Sequence, residues 1–177
     1  PLSVLAVSEK TGIAIVEMGA NHIHEISALC SIAQPDFGII TNIGKAHLEG
    51  FGSFEGVIKA KGELYDFIRK NNGTVFLNND NQQLKDLAQG IKKITYGKSA
   101  DNDINGKFVE ADPLLKISWK KKQETEFREI VQTKIIGAYN FENILSAICI
   151  GNYFGVNNNE IKTALEGYLP SNNRSQI

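Results

Sequence analysis

The opening stretch of the chain changes hydrophobic period again and again, and that alternation restricts the fold more than any other feature. Ile13–Met18, Phe37–Thr41, Thr74–Asn78 and Lys92–Tyr96 read as strands, and Ile23–Ala33, Ser53–Arg69 and Gln82–Gln89 read as helices between them. Continuously apolar strands separated by helices do not pair as hairpins, because the intervening helix carries the chain back across a sheet face. The expected class is therefore α/β, a mostly parallel sheet flanked by helices on both faces. With 177 residues, 42% of them apolar, there is material for one sizeable core.

After about Gly97 the texture changes. Polar turns at Asp101-Asn102-Asp103, Asn105-Gly106 and Ala111-Asp112-Pro113 separate short alternating runs such as Leu114–Trp119 and Glu126–Val131, a pattern that predicts a small antiparallel β subdomain over 97–136. Lys120-Lys121-Lys122 reads as a solvated hairpin tip. Helical spacing returns at Asn140–Phe154, closed by Gly155, and at Glu160–Tyr168. The expected organisation is a parallel part over 1–96, the β part over 97–136, closing helices over 137–170, and the start of a linker over 171–177. The chain begins at Pro1 without an initiator Met and ends in a polar loop, so the expectation is a piece of a longer protein.

Nineteen basic residues against twenty acidic ones leave no global field to draw nucleic acid or an anionic membrane surface, so any phosphate binding must be local. The two cysteines, Cys30 and Cys149, lie in apolar helical segments and read as buried thiols in a reducing compartment. No apolar run approaches the roughly 18 residues that suggest a membrane span, and no leader pattern opens the chain. The expected location is the cytoplasm.

The candidate site residues follow the strands, where an open α/β sheet gathers its ligands. Glu17 ends an apolar strand and is followed by Met18-Gly19-Ala20-Asn21, whose small residues admit a ligand close to the backbone. A charge there is paired or reaches the sheet rim, and a solvated strand end is the plain alternative. His47 lies in a Gly-rich loop after the next strand. His22 and His24 form a His-x-His pair placed in the first turn of a helix, with Asn21 as its cap, and rank below His47. Lys61 falls amid the apolar stripe of Phe54, Val57, Ile58, Leu64, Tyr65 and Ile68. A lysine so placed loses its charge, finds an anion or snorkels outward. No phosphate-cradling loop is present: Gly38–Ala46 has one residue too many between its glycines, and Ala46 stands where a hydroxyl is required.

Glu17-Met18-Gly19-Ala20-Asn21-His22, the run Thr41–Ser53, Ala60-Lys61-Gly62-Glu63, Gly137-Ala138-Tyr139-Asn140-Phe141-Glu142-Asn143 and Asn173-Arg174-Ser175 together resemble the central domain of the Mur ligases. Within that family the chain is most similar to the branch that adds D-Ala-D-Ala to UDP-MurNAc-tripeptide. The resemblance implies an ATP-dependent amide-bond-forming ligase of peptidoglycan synthesis that works through an acyl phosphate and needs Mg2+. It implies Glu17 and His47 as magnesium ligands and Lys61 as a carbamylated lysine. It further implies Asn143 as an adenine contact, Asn140 as a structural cap beside it, and Arg174 as a contact to the ATP phosphates. UDP-MurNAc-tripeptide and D-Ala-D-Ala would be met through flanking domains that this chain lacks. The family's Gly-x-x-Gly-Lys-Thr loop would precede the position matching Pro1, so the isolated piece is expected to be inactive. Sister Mur ligases and folylpolyglutamate synthetases share equivalents of Glu17, His47 and Lys61. A non-catalytic nucleotide-binding or assembly module is the reading from another class.

Overall fold

The computed structural model describes residues 5, 7–44 and 48–170. Its elements are α1 (Glu25–Ala33), β1 (Phe37–Ile39), α2 (Leu48–Phe51), α3 (Phe54–Lys70), β2 (Thr74–Asn78), α4 (Gln82–Leu87), β3 (Lys92–Gly97), β4 (Ile104–Ala111), β5 (Leu114–Lys121), β6 (Val131–Ile136), α5 (Phe141–Tyr153) and α6 (Asn158–Gly167). The strands follow chain order in one mixed sheet, and the whole is the expected α/β class with an antiparallel portion. The chain divides into two compact units, residues 1–75 with 86–93 and residues 76–85 with 94–177.

In the first unit α3 is the organising element. Ser53 caps it by accepting from the Gly56 amide at 3.1 Å, Glu55 sits in its first turn, and Arg69 and Lys70 sit in its last, each where the helix dipole favours that charge. Of the expected stripe, Val57, Tyr65 and Ile68 are buried while Phe54, Ile58 and Leu64 are half-buried; Ala60 of α3 and Ile26 and Cys30 of α1 also lie in the core. Arg69 reaches back to the Gln89 and Leu87 carbonyls at 3.2 and 2.6 Å.

Ile13–Met18, expected as a strand, is not one. The segment forms no ladder, and Ile15 is 90% exposed, with Ile13 and Val16 exposed too. A strand exists only through hydrogen bonds to a neighbour, and this run finds none among the described residues.

In the second unit β3 pairs parallel with β4 through Tyr96↔Ile104 and Gly97↔Asn105. β4 and β5 form an antiparallel hairpin across the expected Ala111-Asp112-Pro113 turn, and β6 adds antiparallel to β5. Two expectations shift here. Asn105-Gly106 is not a turn but lies inside β4, where a Cβ on Gly106 would collide with Leu145 of α5. The run Glu126–Val131 is loop until its last residue, and the strand starts at Val131. Trp119, Leu115, Ile117, Leu145 and Ile148 are buried to 1% exposure or less. The Arg128 guanidinium lies 4.7 Å above the Trp119 ring and pairs with Glu124. Asn157 and Glu160 form a complete capping box at the start of α6, two residues earlier than the expected helix. Gly155 takes φ +83 just past α5, the position expected of it. Among the described residues no helix is long and apolar enough to cross a membrane.

Candidate functional site

Three sequence segments that carry candidate residues converge in the first unit. The turn after Glu17 meets α2, since a Cβ on Gly50 would collide with the Asn21 carbonyl. The loop after β1 meets α3, because Lys61 Nζ donates to the Asn42 carbonyl at 2.7 Å. α1 meets α3 through Glu63, whose carboxylate accepts from the backbone amides of His24 at 2.6 Å and Ser27 at 2.9 Å. Tyr65 stands behind Lys61 on α3; it is fully buried, and burial pushes its phenol up to about 12.

Lys61 is half-buried, neither sealed in the core nor snorkelled into water. Burial pushes its ammonium below the ordinary lysine value, because removing water penalises the charged form. One carbonyl accepts one of its three protons. The arrangement suits an amine that must give up its charge to react, since a lowered pKa enlarges the neutral, nucleophilic fraction at a given pH.

Glu17 is exposed and makes no hydrogen bond or ion pair among the described residues. Its neighbour Met18 is anchored instead: the Cys30 thiol donates to Met18 Sδ at 3.8 Å. His47, the second expected metal ligand, and Arg174 lie outside the described residues. Among the described residues no three His, Cys, Asp or Glu side chains gather in a way that could hold a metal ion.

Asn21 does not cap α1. His24 occupies the N-cap position at φ 78 with no side-chain cap bond, and its ring lies 3.6 Å from Glu63. Glu25 closes the preceding turn by accepting from the Asn21 and His22 amides at 2.7 and 3.2 Å. These bonds hold its carboxyl below the usual range. His22 and His24 thus each lie beside a carboxylate near a helix start.

In the second unit Asn140 is buried at the head of α5, yet its side chain does not cap the helix. It donates to the Ile136 carbonyl at 2.9 Å and accepts from Asn143 at 3.1 Å, locking the Gly137–Asn143 corner. Asn143 is exposed. Near this corner a cavity of 480 Å³ is lined by Lys98, Phe108, Ala138, Tyr139, Phe141 and Glu142. Lys98 Nζ stands 5.6 Å from the Phe141 ring centroid. Its backbone is gripped on both sides, by Asp80 accepting from its amide at 2.8 Å and Asn105 donating to its carbonyl at 2.5 Å. Sequence reading passed over Lys98 and Glu63. Lys98 follows a strand-ending glycine, and Glu63 stands two residues after Lys61, so the signal in each case was position alone.

The first unit carries a half-buried lysine and an exposed carboxylate, and the second carries an asparagine-locked helix start. The chain belongs to the Mur ligase middle-domain family, whose pattern matches residues 1–151. Within the family it is similar to the UDP-N-acetylmuramoyl-tripeptide–D-alanyl-D-alanine ligase of Haemophilus influenzae, 35% identical over 173 residues that cover 94% of this chain and 36% of that protein. The crystal structure of MurF from Acinetobacter baumannii shares its fold, with a TM-score of 0.79 at 24% identity over 96% of this chain and 37% of that one. MurF of Thermotoga maritima, solved in complex with ADP, has a TM-score of 0.71 at 23% identity over 87% of this chain and 35% of that one. The chain thus spans a little over a third of the length of the relatives it matches.

Proposed function

We propose that this chain is the central part of an ATP-dependent ligase that joins D-Ala-D-Ala to UDP-MurNAc-tripeptide in the cytoplasm. The observation that carries the reading is the 35% identity to a D-alanyl-D-alanine-adding ligase across 94% of the chain. In this reading ATP phosphorylates the tripeptide carboxylate, and the amine of D-Ala-D-Ala attacks the acyl phosphate. The tetrahedral adduct then collapses to the amide and releases phosphate.

Glu17 fits a magnesium ligand by donor chemistry: Mg2+ prefers hard oxygens, often one or two carboxylates together with waters and substrate phosphates. Glu17 would hold one magnesium and His47 a second, and bound Mg2+ would supply neutralisation of phosphate charge. Lys61, carbamylated, would turn a half-buried cation into an anion facing that charge, which its lowered pKa supports through a larger neutral-amine fraction. Asn143 would read the adenine edge, held in place by Asn140. Arg174 would bind phosphate oxygens with its planar fork.

The test is a ligation assay on the full-length parent with ATP, UDP-MurNAc-tripeptide and D-Ala-D-Ala, following the peptide product. Ligation that stops in Lys61→Ala and is partly restored by added small carboxylates supports the reading. Near-wild-type turnover in Lys61→Met removes Lys61 from it, and a parent that ligates a different amino acid or a glutamate moves it to a sister enzyme.

A further inference from the structure

Helix α1 starts without a cap of its own. His24, at the N-cap position, is in the left-handed region at φ 78 and offers no side-chain acceptor to the first turn. Both acceptors come from another helix: one carboxylate of α3, that of Glu63, takes the His24 amide on one oxygen and the Ser27 amide on the other. The Glu63 side chain is only 10% exposed, so these bonds are shielded from water. A carboxylate there also meets the positive end of the α1 dipole.

The same helix carries the segment that bears Glu17. Cys30 of α1, 0% exposed, donates to Met18, the residue next to Glu17. Glu25 of α1 ties down the Asn21 and His22 amides. Residues 18–27 therefore move with α1, and α1 is bound to α3 two residues from Lys61. We propose that Glu63 is a positioning residue that holds the Glu17 carboxylate in one frame with Lys61, and through it sets the affinity for the divalent cation. The proposal rests on the assignment of Glu17 as a metal ligand. A cap in cis would stabilise α1 equally well, whereas a cap in trans also fixes the distance between two helices.

The experiment uses the full-length parent and Mn2+ as probe, with binding read by electron paramagnetic resonance in the presence of ADP and folding read by melting temperature. Glu63→Gln keeps the side-chain volume but turns an NH2 donor against a backbone amide. Its Mn2+ dissociation constant should rise about tenfold, the scale on which outer partners of metal ligands act. His24→Gly, which suits the positive φ, is then added to Glu63→Gln to return stability without returning the link. Recovered melting temperature with Mn2+ binding still weak supports the proposal. Recovery of both shows a plain helix cap and overturns it, as does unchanged Mn2+ affinity in Glu63→Gln or a wild-type parent that binds no Mn2+. If Glu63→Gln fails to fold, Glu63→Asp, which keeps both acceptors but shortens their reach, carries the same comparison. The ligation assay on the wild-type parent judges the ligase reading separately, because Mn2+ binding is measured without turnover.

Discussion

Lys61 sets the clearest test at the level of a single side chain. Burial depresses its pKa, so between the lowered value and the ordinary 10.5 the unfolded chain binds more protons at this position than the folded one. Stability from this residue therefore increases as pH rises through that window and is lost below it. Melting temperatures of wild type and Lys61→Met across the alkaline range should show a wild-type curve that gains on the variant as pH climbs towards 10.5. A constant gap would mean that the ammonium is fully solvated. Ile15 offers the opposite case. At 90% exposure it contributes no burial, so Ile15→Lys should leave the melting temperature of this chain unchanged within about 0.5 kcal/mol of stability. A larger loss would mean that residues 13–18 form a buried strand after all.

Among the elements, α6 isolates what a cap contributes. Asn157 accepts from the Glu160 amide at 3.0 Å and Glu160 accepts from the Asn157 amide at 3.3 Å, so Asn157→Ala removes half of a reciprocal pair. Denaturant unfolding should show a loss of about 1 kcal/mol with an unchanged slope. How far the elements could be read beforehand follows the same physics. Ser53 announced α3, and Thr74–Asn78 was legible to the residue because all five of its side chains are buried. Whatever depended on a distant partner was not legible. Gly106 looked like a turn residue, and only Leu145 across the core explains why a strand needs it. His24 looked like part of a self-capped helix start, and only Glu63, 39 residues away, explains why no local cap is required. Ile13–Met18 had the composition of a strand, and among the described residues it has no neighbour to pair with. In the candidate site, Lys61 stood out because a charge amid an apolar stripe violates periodicity. Glu63 broke no local rule.

For the molecule as a whole, the 177 residues hold no Gly-x-x-x-x-Gly-Lys-Ser/Thr phosphate loop, since Gly97-Lys98-Ser99 has Lys92 where the first glycine is required, and this has a measurable outcome. Backbone amides of such a loop supply much of the affinity for a triphosphate. Calorimetry of this chain with ATP and Mg2+ should show no micromolar binding, and a micromolar dissociation constant would mean that other groups cradle the phosphates. The cavity beside Lys98 does not alter that expectation, because its single lysine faces an aromatic ring and shares the lining with Glu142.

Trp119 is the only tryptophan in the chain, 1% exposed in the middle of β5 beneath the Arg128 guanidinium. Light absorbed at the red edge of the protein spectrum therefore excites one indole in one strand, and the chain carries its own optical gauge. Native emission should lie at short wavelength and resist quenching by acrylamide. Its shift to the red on heating then times the moment at which β5 leaves its neighbours, with no dye or label added.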